Sequence, residues 1–303
     1  MDADLDTFVT ALYVTIDDAL VMHPDLRQWR PKVGLVPRLS DAELLTLAVL
    51  QALLGFTSET RFLRHAQAHL RHLFPYIPNQ SGYNKRLRKA AGQLGALIRL
   101  LGADTELWDD DTWVMDSTPV ECGRSRPTAL RSDLAGWASY GYCASHSRFF
   151  WGLRLHLVCT PAGLPVTFAL ANPKDDERLV ARDLLEGEPE LLRAGQVIIA
   201  DKGYRSKEFE SFLADHGVTL LRPAHGRDRG RRSSPLLKPF RQLIESVNAT
   251  LKVQLDLERH GGRTRGGVIT RVLQRLLALT AAIWHNSHVG QRPLRSLIAF
   301  DHG

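Results

Sequence analysis

Apolar positions recur three and four residues apart up to about residue 105, then change to alternations and short runs from about residue 110. The first spacing predicts helices and the second strands. "LSDAELLTLAVLQALLG" opens with Ser40 and places Glu43 three residues on, the signature of a capping box. Leu44, Leu47, Ala48 and Leu50 keep helical spacing, and Gly55 supplies a stop. Two more helices are predicted over "ETRFLRHAQAHLRHLF", ended by Pro75, and over "NKRLRKAAGQLGALIRLLG". There is no fixed-period repeat and no low-complexity segment.

The second region reads as strands first and strands alternating with helices afterwards. "TWVMDSTPVEC" is a strand that "DSTP" is expected to break at Pro119. "FFWGLRLHLVCT" alternates, with Trp151, Leu153, Leu155 and Leu157 on one face, and "LPVTFALAN" follows after the Ala162-Gly163 turn. A helix over "DDERLVARDLLEGEPELLRA", a strand "QVIIAD", a helix "SKEFESFLADHG", a strand "VTLLRP" and a long helix "PFRQLIESVNATLKVQLDLE" complete the order. Three consecutive strands suit an antiparallel meander, and the later alternation suits parallel crossovers. The expected fold is α/β: a mixed sheet with helices on both faces, the first and fourth strands side by side, preceded by an all-helical N-terminal domain. The expected boundaries are 1–105 and 106–303.

Composition narrows the partners. Apolar residues make up 44% and charged residues 24%, as in a soluble globular protein. No run approaches eighteen consecutive apolar residues, so no membrane span is expected. The N-terminus "MDADLDTFVT" is acidic where a signal peptide is basic, which points to the cytoplasm. Three widely spaced cysteines, Cys122, Cys143 and Cys159, without a CxxC, read as packed thiols rather than a disulfide or zinc framework. Net charge is +6, yet Arg222 to Arg271 alone carries twelve Lys or Arg against four Asp or Glu. Basic character is therefore concentrated, as a nucleic-acid footprint requires. Its sharpest part is "RPAHGRDRGRRSSP", within a basic segment 222–238. There Arg227, Arg229, Arg231 and Arg232 are candidate phosphate contacts. The plain alternative is a solvated loop.

Two carboxylates lie on buried-looking strands. Asp201 closes "VIIAD" before the Gly203 turn, and Asp116 sits within the first strand. If those strands are neighbours, the carboxylates converge and repel, which becomes favourable when a hard divalent cation lies between them. On the long helix, Arg241, Glu245, Asn248 and Lys252 form one stripe, beside an apolar stripe of Phe240, Leu243, Val247 and Leu251. Docking the apolar stripe leaves Glu245 at the sheet margin, flanked by cations suited to a phosphate backbone.

These residues resemble a DDE transposase of the insertion-sequence-982 type, over almost the whole chain. "MDSTPV" around Asp116, "ADKGY" around Asp201, "RQLIESVNATLK" around Glu245, and "SGYNKR" at 81 to 86 carry the resemblance. It implies a ribonuclease-H-like core in which Asp116, Asp201 and Glu245 bind two Mg²⁺ ions, with Mn²⁺ able to substitute. It also implies cleavage at terminal inverted repeats, transfer of the 3′-OH to target DNA, end recognition by the N-terminal helices, and a homodimer or larger assembly on DNA in a bacterial cytoplasm. Arg241, Lys202, Asn248 and Lys252 are the expected DNA contacts near the site. The Arg-Glu-Lys spacing resembles a signature whose usual Tyr, three residues before the Arg, is Lys238 here, so Tyr-dependent details are not carried over. The Asp-to-Asp and Asp-to-Glu spacings of 85 and 44 residues leave no room for a large inserted domain. The alternatives are a ribonuclease-H-like nuclease that cuts without joining, and a domesticated, non-catalytic DNA-binding protein.

Other clusters have plainer readings. Asp109, Asp110 and Asp111 read as a solvated loop, with a metal-ligand cluster as the alternative. Asp175, Asp176 and Glu177 open a helix, where carboxylates suit the dipole, although they can also supply a fourth acidic group near the metals. His65, His69 and His72 share a helical face that is polar or faces DNA, with a metal site as the alternative. His156 lies near the active site or lines the outer face of the sheet, and Trp137, Tyr140 and Tyr142 pack before a strand.

Overall fold

The capping box forms as its residues require. In the computed structural model, Ser40 Oγ accepts from the Glu43 N–H at 3.0 Å, and Glu43 Oε2 accepts from the Ser40 N–H at 2.5 Å. The structure describes residues 3–27, 36–143, 147–224, 237–291 and 297, excepting the side chains of 3, 4, 237, 238, 240 and 241. The chain divides into two compact units, Met1–Thr105 with Leu251–Gly303, and Glu106–Thr250.

The first unit is helical: α1 (Ala3–Met22), α2 (Asp41–Leu53), α3 (Glu59–His69), α4 (Gln80–Lys89) and α5 (Ala91–Ala103). α3 is shorter than its pattern predicts, and the helix expected over residues 84–102 is two helices meeting at Ala90. The unit also takes in the C-terminal region, which was expected to belong with the sheet. The reason lies in α10 (Arg265–His288), whose residues 275 to 285 are all buried. A helix apolar all round needs neighbours on every side, and α10 finds them in α1, α2, α4 and α5. α10 is long and apolar enough to cross a bilayer, but 78% of its most apolar stretch is buried inside the protein, so packing accounts for its composition.

The second unit holds a six-stranded mixed sheet. Its strands are β1 (Thr112–Gly123), β2 (Ser139–Cys143), β3 (Arg148–Cys159), β4 (Pro165–Ala171), β5 (Val197–Ala200) and β6 (Thr219–Leu221). The order is β2-β3-β1-β5-β6, with β4 pairing the stretch of β3 beyond β2. β1, β2 and β4 run antiparallel to β3, and β1, β5 and β6 run parallel to one another. β2, where aromatic residues were expected only to pack, is a strand the sequence reading lacked. Pro119 does not break β1, which continues to Gly123 with Pro119 opposite Arg154. β5 ends its pairing at Met115, so β1 is an edge beyond it, where a missing N–H costs no ladder bond. Gly152 lets β1 and β3 close together, since a Cβ there would stand 2.1 Å from the Val120 carbonyl oxygen.

Alternation sorts the sheet faces. Trp113, Met115, Ile198, Ala200 and Leu220 pack with Ala181 and Leu185 of α7 (Glu177–Glu186) and with Phe209 and Leu213 of α8 (Lys207–Asp215). The opposite face, which carries Asp116, receives α9 (Leu237–Ala249), with Ile244 and Val247 buried. A helical region followed by a mixed sheet covered by helices on both faces is a ribonuclease-H-like α/β fold. The long terminal helix expected over residues 239–258 ends at Ala249. A π-helical turn, Thr250–Gln254, follows, so Lys252 no longer keeps the α-helical stripe of Glu245 and Asn248.

Candidate active site

The parallel register Met115↔Ala200 leaves Asp116 and Asp201 as the next residues on adjacent strands. Strand order and register together therefore bring the two carboxylates to one point on the sheet. Asp201 is exposed and caps the turn Lys202–Tyr204, its Oδ1 accepting from the Lys202 N–H at 2.6 Å. That turn returns Tyr204 to the core, where it is 1% exposed. "ADKGY" is thus both a strand end with its anchor and a carrier of Asp201.

Asp116 is half-buried, and Asn248 Nδ2 donates to its Oδ2 at 2.8 Å. Burial pushes its carboxyl up to about 6, and the charges of Glu177 and Asp201 push the same way, against the Ser117 N–H and the Asn248 amide. Asn248, expected at DNA, is 8% exposed and spends a donor on Asp116. Glu245 is exposed three residues earlier, on the same helical face. Lys202 is exposed beside Asp201. Lys252 is half-buried in the π-helical turn. The Arg241 side chain and Arg227, Arg229, Arg231 and Arg232 lie outside the described residues. Among the described residues, no three Asp, Glu, His or Cys side chains form a group able to hold a metal ion, so the structure pairs Asp116 with Asp201 without completing a trio. The donor chemistry still fits a hard divalent cation. Two carboxylates stand side by side where the β1–β5 pairing ends, and the half-buried one is burdened by negative charge that a cation would offset.

Glu177 is the site residue that a helix-dipole reading undervalues. At the start of α7, its Oε1 accepts from Ser117 Oγ at 2.8 Å and from Arg154 Nη1. Arg154 also donates to Ser117 Oγ at 2.8 Å and to the Tyr142 carbonyl at 2.9 Å, tying β1, β2, β3 and α7 together next to Asp116. The available signal was Arg154, set between leucines in the middle of a largely apolar strand. His156, opposite Ser117 in register, is 1% exposed and is lowered to about 4 by burial.

The remaining clusters take structural roles. Asp109 pairs with Arg193 at 2.8 Å, and Asp110 accepts from the Thr112 N–H at 2.8 Å. Asp176 caps α7 and is held down to about 2 by its bond from the Arg178 side chain. His72 meets Asp6 at 3.0 Å, beyond the end of α3, while the His65 and His69 rings touch each other.

Comparison with known proteins gives one family. The family model described as "Transposase DDE domain" matches residues 108–281, more than half of the chain. The comparisons with curated proteins and with solved structures each return no match.

Proposed function

We propose that this chain, which belongs to the transposase DDE-domain family, cuts DNA at the terminal inverted repeats of its own mobile element and joins the freed 3′-OH to target DNA. The observation that carries this reading is the β1–β5 register, which makes Asp116 and Asp201 neighbours at the end of a buried strand pair. Asp116, Asp201 and Glu245 are the residues that would hold two Mg²⁺ ions, or Mn²⁺ in their place. Bound there, the ions would activate the attacking oxygen and stabilise charge on the attacking and leaving oxygens. The chain's own groups do the positioning. Asn248 fixes the Asp116 carboxylate from α9, and the Arg154–Glu177–Ser117 network fixes the strand that carries it. Lys202 and Arg241 hold phosphates near the scissile bond, and Lys252, Arg227, Arg229, Arg231 and Arg232 hold the DNA backbone. The helical unit recognises the element ends, and two or more copies act together because both ends must be joined. The subtype is that of insertion-sequence-982 elements, and the workplace is the bacterial cytoplasm.

The test compares Asp116→Ala, Asp201→Ala and Glu245→Ala on element-end DNA, reading strand cleavage, strand transfer and gel-shift affinity. Each variant should lose cutting and joining by about a hundredfold or more while still binding DNA. Robust Mg²⁺-dependent cleavage by Asp201→Ala would overturn the assignment. Cleavage without transfer by the unmodified chain would make it a nuclease.

A further inference from the structure

The helical unit contains a cleft of about 200 Å³ between α4 and the glycine-rich loop that precedes α10. It is lined by Glu59 and Arg271, which are little exposed, by Asn84 and Arg88 of α4, and by Arg263 and Thr264 of the loop. Glu59 contributes little negative field to a ligand there. It is 7% exposed and is engaged by the Arg271 guanidinium, by Gln80 Nε2 at 2.6 Å and by Asn84 Nδ2 at 2.8 Å. Arg88 and Arg263 are different, because both are exposed and neither has an ion pair or side-chain hydrogen bond among the described residues. α4 adds Lys85 and Lys89, also exposed, and has no acidic residue, while Arg86 turns inward to Asp41 at 2.8 Å.

The loop is shaped to keep Arg263 at that cleft. Gly261 has φ +72°, a conformation that side chains disfavour. A Cβ on Gly262 would stand 2.7 Å from the Val268 nitrogen and 2.8 Å from its Cα, backbone atoms that cannot yield. Two glycines therefore curl the loop tightly onto the first turn of α10. Two uncompensated arginines lining one concave space, beside a neutralised carboxylate, match an oxyanion.

We infer that this cleft is a binding site for a backbone phosphate of DNA, with Arg88 and Arg263 as its donors. The inference rests on the transposase reading, which supplies DNA as the partner, and it adds a contact that positions the duplex without reading its bases.

The experiment uses the full chain and measures DNA affinity across a salt series for Arg88→Ala/Arg263→Ala. A matched control, Arg182→Ala/Lys207→Ala, removes two charges from the sheet unit. The cleft variant should weaken binding to element-end and random duplexes alike, and its log–log salt slope should fall by about 2, one for each lost phosphate contact. Arg88→Lys/Arg263→Lys should keep most of the slope. Both arginines are exposed, so thermal melting should stay unchanged. An unaltered salt slope in the alanine variant would overturn the site. Saturable binding of inorganic phosphate that is lost in that variant, with DNA affinity intact, would also overturn it in favour of a free-phosphate site. No DNA binding by the unmodified chain would sink the proposed function itself and this site with it.

Discussion

Glu59 in the helical unit receives donors from Arg271, Gln80 and Asn84, whereas Asp116 in the sheet unit receives one side-chain donor among the described residues, from Asn248, and lies in the field of two further carboxylates. Behind Glu59 the satisfaction continues. Gln274 Nε2 donates to the Ala48 carbonyl at 2.7 Å, and Tyr83 Oη donates to Gln51 Oε1 at 3.0 Å. Beside Asp116 the balance runs the other way: burial holds Asp116 at about 6, holds His156 at about 4, and holds the Tyr204 hydroxyl well above its ordinary range. The two units thus use buried polar groups for different ends. A closed network with each charge paired specifies one packing arrangement. A cluster left with excess negative charge costs stability until a cation arrives, and such concentrations of perturbed groups mark functional sites.

The largest effect is expected on the helical side of this contrast. Arg271→Ala leaves Glu59 buried without its cation, and breaking a buried pair from one side costs about 3–5 kcal/mol. Chemical denaturation should show that loss in full. Replacing both members, as Glu59→Gln with Arg271→Met, should return most of it, because no unpaired charge remains. A small loss in the single variant would mean that the network is not the closed structure its distances describe.

How much of this contrast is legible in sequence depends on whether a signal is local. The Ser40–Glu43 capping box is local and forms as written. The Asp116–Asp201 pairing is not local, but it follows from strand order and right-handed crossovers, both of which leave periodic traces. β2 escaped because "SYGYC" is five residues with a central glycine, too short to carry a period. The unit to which α10 belongs escaped because a helix that is apolar all round announces burial without naming its neighbours. The π-helical turn at Thr250 leaves the apolar spacing nearly intact, so a helical stripe that looked continuous through Lys252 loses its register. The Arg154–Glu177 pair joins residues 23 apart through the packing of α7 on β3, and only the oddity of an arginine in that strand hinted at it.

In the sheet unit, removing a charge should have the opposite sign. Asp116 has a folded value of about 6 against an ordinary 3.8, so the folded state holds its proton more tightly than the unfolded state does. Stability of the metal-free protein should therefore fall as pH rises from about 4 to about 6, and stay low above that. Asp116→Asn mimics the protonated form. It should stabilise the metal-free protein at pH 7 by up to about 3 kcal/mol, lose that advantage below pH 4, and be inactive in cleavage. Denaturation across this pH range checks the sign. Destabilisation by Asp116→Asn at pH 7 would mean that Asp116 is a structural carboxylate like Glu59.

The smallest effect should come from Asn248, which sits between the two behaviours: it is 8% exposed, yet its amide relieves an otherwise overloaded carboxylate. Its bond to Asp116 favours the charged form and holds the value down. Asn248→Ala removes that relief, so the Asp116 carboxyl should rise further and the decline of metal-free stability should extend to higher pH. Asp116 is only half-buried, and water can take the place of the lost donor, so the cost at pH 7 should be about 1 kcal/mol rather than the full value of a buried charged hydrogen bond. At low pH, with Asp116 protonated in both proteins, the difference should shrink. Asn248→Asp should act in the same direction and more strongly, because it sets a third like charge against Asp116. A saturating divalent cation should then narrow the gap between each variant and the unmodified chain, since a bound cation does for Asp116 what the amide does in its absence. If Asn248→Ala lowers stability equally at every pH and in the presence of the cation, Asn248 serves only to pack α9 on the sheet, and the carboxylate cluster is not the element that the helix is held in place to serve.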